Sequence, residues 1–235
     1  MSRDQRQKLT MTDSDVRGRN MRVIESRFAL AAAVFVLALG GTGQASERGG
    51  RAVAKASVEG KAEYCLICHG ASGQGFRGYY TMPRLAGQQP LYIENQLHAF
   101  REHRRLHPIM QNVASSLSPG MIRPLADYLR SLNAPAYGGG PESGVALGKT
   151  IFQLGLPEAN VPACAVCHGV DAKGVRQIPR LAGQLYWYVT KTLTNFNRER
   201  GRGSVADSSA IMAPVARHLT PEQISAVAAY VSSLR

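Results

Sequence analysis

The chain has 235 residues and 44% apolar side chains, enough to bury one large core or two small ones and too apolar for a disordered chain. It carries 28 Lys and Arg against 16 Asp and Glu, a net charge of +12, which suits acidic partners or anionic surfaces. No nucleic-acid recognition motif accompanies that charge, so nucleic acid is excluded as the partner, and no apolar run reaches the roughly 20 residues that span a bilayer.

The first element in chain order is an export signal. Arg22 and Arg27 precede 12 apolar residues from Phe28 to Leu39, and small residues ending at Ala45 follow. A charged start, a short apolar core and a small-residue site predict cleavage near Ala45. Residues 1–45 are thus a signal peptide with an N-terminal extension if translation starts at Met1 rather than Met21. An uncleaved anchor is the alternative.

Next comes a helix expected near Val53–Lys61, ahead of "CLICHG" (Cys65–Gly70). In "PRLAGQQPLYIENQLHAF" (Pro83–Phe100), Ile93, Leu97 and Phe100 share one helical face. Ile122, Leu125, Leu129 and Leu132 mark another helix that begins at Ser118-Pro119. Pro124 predicts a late start or a kink there, because it lacks an N–H and crowds the carbonyl of Gly120. "NAPAYGGGPESG" (Asn133–Gly144) is a linker by its Gly and Pro content.

The series then returns. A helix is expected near Val145–Leu154, followed by "CAVCHG" (Cys164–Gly169). "PRLAGQLYWYVTKTLTNF" (Pro179–Phe196) places Val189, Leu193 and Phe196 on one face. The last helix runs through Ile224, Val227, Val231 and Leu234, and Thr220-Pro221-Glu222-Gln223 supplies its capping box. No alternating strand pattern occurs. The fold class is all-α in two tandem domains, 46–135 and 144–235, joined by a linker at 136–143. At about 90 residues each, such domains are small without a cross-link or cofactor.

All four cysteines fall in the two short motifs, each followed by a histidine. Cys-x-x-Cys-His is the attachment pattern of c-type haem. Two thiols at short, fixed spacing add to the two vinyl groups of one porphyrin, and the next residue falls under the ring. Cys65 and Cys68, then Cys164 and Cys167, are the expected anchors of two covalent haems. His69 and His168 are the expected proximal iron ligands. A four-cysteine zinc site needs pairs about 15–20 residues apart, whereas Cys68 and Cys164 are 96 apart. Disulfides leave the adjacent histidines unexplained.

A methionine as sixth ligand closes the iron and raises its potential. Met212 is the only methionine after His168. The repeat pairs Ile211-Met212-x-x-Val215-Ala216 with Ile109-Met110-x-x-Val113-Ala114, which selects Met110 over Met82 and Met121. His69 to Met110 is 41 residues and His168 to Met212 is 44. His98, His103 and His107 have no histidine counterpart in the second half. Pro83 and Pro179 are placed to pass a rigid chain beside each histidine and orient its ring. Arg84 and Arg180 either pair with haem propionates or are solvated. The basic ends Arg101, Arg104, Arg105 and Arg198, Arg200, Arg202 are either solvated or a docking surface for an acidic partner.

The doubled CxxCHG, PRLAGQ and M-x-x-V-A blocks resemble dihaem cytochrome c4, a family of two class I cytochrome c domains. The resemblance covers residues 50–235. It implies a periplasmic, non-catalytic carrier with His/Met ligation at both irons. The implied partners are redox proteins with an acidic docking face: a quinol-oxidising complex, a terminal oxidase or reductase, or a dehydrogenase. Peripheral membrane association is compatible with the charge. Two rival readings are a dihaem subunit of a dehydrogenase complex, such as a sulfide-oxidising flavoprotein, and a dihaem enzyme with an open iron. The sequence departs from the pattern at "GYYTMP", which lengthens the first loop by three residues, and at Ala172, which replaces the first glycine of the second GxG.

Overall fold

The computed structural model describes residues 54–200 and 209–235, and Lys55–Arg235 form one compact unit. The expectations for the signal peptide, the start at Met21, cleavage near Ala45 and Arg202 lie outside the described residues.

The described residues form helices, turns and three isolated bridges, with no extended strand. Helix α1 covers 54–69. It is followed by α2 (Pro90–Arg101), α3 (Pro108–Ser115) and α4 (Pro119–Ser131). The second half contains α5 (Val145–Leu154), α6 (Cys164–His168), α7 (Tyr186–Thr194), α8 (Phe196–Glu199), α9 (Ser209–Arg217) and α10 (Pro221–Ser233). The capping box of α10 forms as expected between Thr220 and Gln223. Helix α1 differs from expectation: it runs on through the cysteine pair to His69, where the second half breaks the same path into α5 and α6. Helix α4 does not start late: it begins at Pro119 and includes Pro124. Buried Ile122, Leu125, Ala126 and Leu129 hold it on the core. Gly120, whose carbonyl the proline crowds, is exposed.

Two backbone bonds of the haem-motif and PRLAGQ turns recur in both halves. Gly75 N–H donates to the His69 carbonyl at 2.7 Å and Gly174 N–H to that of His168 at 2.8 Å. Gly87 N–H reaches Leu129 at 3.0 Å and Gly183 N–H reaches Val231 at 2.9 Å, tying each PRLAGQ turn to its last helix. The three extra residues of the first loop lie inside the Phe76–Met82 bridge, which replaces the tighter Val175–Ile178 bridge. Ala172 adopts φ +55°, close to the +68° of its counterpart Gly73. An alanine in this left-handed region carries about 1 kcal/mol of strain.

Apolar cores form separately in each half. Ala62, Leu117, Ile122 and Leu125 build one beside Ile93, Ala126 and Leu129. Ile151, Phe152, Tyr186, Val189, Val227, Tyr230 and Val231 build the other. Helices α5 and α10 cross closely at Gly148, where a Cβ would run into the Ala226 carbonyl.

Polar groups join the halves. Arg105 Nη2 and Arg200 Nη2 both donate to the Tyr188 hydroxyl, at 2.9 and 3.0 Å. Arg200 Nη1 donates to the Tyr92 hydroxyl at 3.1 Å, and Leu106 N–H donates to the Glu199 carbonyl at 2.8 Å. Burial pushes the Tyr188 phenol up, but the two guanidiniums outweigh it and hold the group at about 8. Burial also opposes the charge on Arg200, yet Tyr92 and Tyr188 hold that guanidinium above its ordinary range. Arg200 is therefore neither solvated nor a docking residue: Tyr92 of the opposite half and Tyr188 and Phe196 of its own lie against it, and it is 8% exposed.

Candidate haem centres

Cys65, Cys68 and His69 end α1, and Cys164, Cys167 and His168 make up most of α6. On a helix, positions i, i+3 and i+4 share one face. The CxxCH spacing thus sets two thiols and an imidazole side by side. Gly70 (φ +85°) and Gly169 (φ +80°) turn the chain away directly after each histidine, a conformation in which glycine ends helices without penalty.

Each histidine is buried and held by one bond. His69 Nδ1 donates to the Pro83 carbonyl at 2.9 Å, and His168 Nδ1 donates to that of Pro179 at 3.0 Å. A carbonyl only accepts, so Nδ1 carries the proton and Nε2 keeps its lone pair. Neither Nε2 makes a hydrogen bond among the described residues. Burial lowers both rings below the ordinary histidine range despite the proline carbonyls, and nearby Arg105 and His107 lower His69 further. The rings are neutral at pH 7, as iron ligation requires.

The four cysteines are free, with Cys68 and Cys167 exposed and Cys65 and Cys164 half-buried. Burial pushes the Cys164 thiol up to about 11 and raises Cys65 as well. No group of three His, Cys, Asp or Glu converges among the described residues, so the four-cysteine zinc arrangement does not form. Unbridged thiols on one helical face with a neutral imidazole whose Nε2 is free fit covalent haem c.

Met110 lies in the first turn of α3 and Met212 in the matching helix α9, both half-buried. His107 caps α3 by accepting the Met110 amide on Nδ1 at 3.3 Å. This cap could not be read from the sequence, since histidine is not a usual capping residue. Arg84 is buried to 5% exposure. Its guanidinium donates to the carbonyls of Ala86, Ala134 and Pro135, which excludes the solvated reading at this position. Arg180 donates through Nε to the Ala182 carbonyl and is half-buried. Two residues missed from the sequence are Gln88 and Gln184, the last letters of each PRLAGQ. Both are buried and cross to the opposite half, where they bond Arg180 and Arg84. Their signal was the retention of one polar hexapeptide in both copies.

Comparison with known proteins supports the same centre. The cytochrome c family matches residues 145–235. Cytochrome c-552 of Acidithiobacillus ferridurans is 37% identical over 91% of this chain and 90% of that protein. The thiosulfate dehydrogenase electron acceptor of Stutzerimonas stutzeri (strain A1501) is 32% identical over 72% of this chain and 78% of its own length. The solved structure of Acidithiobacillus ferrooxidans cytochrome c4 is 37% identical, with a TM-score of 0.60 over 72% of this chain and 98% of that one.

Proposed function

The chain belongs to the dihaem cytochrome c4 family, and we propose that it is an exported carrier passing single electrons between respiratory redox proteins in the periplasm. It is an electron-transfer cytochrome with two covalent haem c groups, and haem c supplies the one-electron iron couple when bound. In this proposal residues 46–135 and 144–235 are one domain each, joined at 136–143. Cys65 and Cys68 anchor one haem and Cys164 and Cys167 the other. His69 with Met110 and His168 with Met212 fill the axial positions, and Pro83 and Pro179 orient the histidines. The observation that carries the reading is the doubled histidine geometry: two buried, neutral rings fixed through Nδ1 with Nε2 free. Cleavage near Ala45 releases the chain. Among the described residues no helix is long and apolar enough to cross a membrane. Arg180, the less buried of the pair, keeps its Nη groups for a propionate.

A quinol-oxidising complex and a terminal oxidase or reductase are the partners of this reading. A second reading rests on the relative that is a thiosulfate dehydrogenase electron acceptor: this chain would serve a dehydrogenase as its bound haem subunit. Gel filtration of a periplasmic extract separates the two. A carrier elutes at the size of a single chain, apart from thiosulfate-oxidising activity. Co-elution of haem absorbance with that activity would favour the subunit.

A further inference from the structure

The Pro83–Arg84 peptide is bonded on both sides. Its carbonyl accepts from His69 Nδ1 at 2.9 Å, and its N–H donates to Gln184 Oε1 at 2.8 Å. Gln184 Nε2 donates back to the Arg84 carbonyl at 3.1 Å. The second half mirrors this. The Pro179 carbonyl accepts from His168 Nδ1 at 3.0 Å, Arg180 N–H donates to Gln88 Oε1 at 2.7 Å, and Gln88 Nε2 donates to the Arg180 carbonyl at 3.0 Å. The contact is isologous, as across a twofold axis. Backbone N–H groups fix the orientation of both amides, because Gln88 Oε1 and Gln184 Oε1 each accept a second one, from Gln89 at 2.8 Å and Leu185 at 3.0 Å.

We propose that Gln184 tunes the haem on Cys65 and Cys68, and Gln88 the haem on Cys164 and Cys167, so that each half sets the reduction potential of the other's iron. Both glutamines are positioning residues acting through one peptide. This rests on His69 and His168 being the proximal ligands. When a peptide N–H donates, its carbonyl oxygen becomes more negative and accepts more strongly. A stronger acceptor at Nδ1 makes the imidazole a more basic ligand. A more basic ligand stabilises ferric iron and lowers the potential. A role confined to gluing the halves would give no such crossed pattern.

The test uses the haem-loaded chain with Gln184→Leu and Gln88→Leu made singly. Each is followed by spectroelectrochemical titration and by NMR of the reduced protein. Gln184→Leu raises one couple, by about threefold in its reduction equilibrium constant, or about 30 mV. It also moves the Nδ1–H resonance of His69 while that of His168 stays. Gln88→Leu does the reverse on the other couple. Gln184→Met keeps the side-chain volume and replaces the leucine variant if that one does not fold. Tyr188→Phe loosens the same seam without touching the peptide and should give no crossed shift. Equal movement of both couples, no movement, or movement of the variant's own half would overturn the proposal. Absence of a haem ring-current shift on the His69 or His168 ring protons would instead overturn the ligand assignment.

Discussion

Met212→Ala lowers the potential of the second haem by on the order of 0.1–0.3 V, a part of the roughly 0.8 V that axial ligation spans, and opens that iron to carbon monoxide. Met110→Ala does the same at the first. A thioether is a weak donor that favours ferrous iron, so its loss favours ferric iron. The assignment stands on matched positions: Met110 lies in α3, which follows the PRLAGQ helix α2, and Met212 lies in α9, which follows α7 after the short α8. Two couples unchanged in a variant would show that the methionine it removes only packs.

Gly148→Ala destabilises the second half by about 3 kcal/mol, a fall in Tm on the order of 10 °C or more. An added Cβ would overlap the Ala226 carbonyl and lie 2.9 Å from the Tyr230 Cβ. Backbone cannot rotate aside as a side chain can, so α5 must lift from α10. Phe152 and Tyr230, whose rings meet at 5.4 Å across this crossing, then lose their packing. Gly60→Ala is the control, since nothing lies within 4 Å of that position on α1. It leaves stability unchanged or raises it by up to about 1 kcal/mol, the helix preference of alanine over glycine. Equilibrium denaturation of the two variants decides: equal midpoints would mean that the helices do not approach as closely as described.

The haem motifs, the repeat and most helices were legible because they depend on local spacing. A CxxCH on a helix aligns its own three side chains, and the apolar faces of α4 and α10 follow from a 3.6-residue period. The bounds of α5 fell where the sequence placed them. What the sequence hid lies between the halves. Arg200 reads as one of several solvated arginines until Tyr92 and Tyr188 arrive from positions 108 and 12 residues away. Gln184 reads as loop until Arg84, 100 residues earlier, is seen to need its oxygen. No period marks such residues, because their partners come from a second copy of the same turn. Pro124 misled for the opposite reason. The local rule favours a late start or a kink, yet the helix begins at Pro119, with Ile122, Leu125, Ala126 and Leu129 buried on its core face.

The most direct test of a closed, two-haem carrier is the visible spectrum of the reduced, haem-loaded protein before and after carbon monoxide. An unchanged spectrum is the expected result of the proposal that Met110 and Met212 fill both sixth positions. A prompt change would contradict closure at one iron or both and would bring the open-iron enzyme forward.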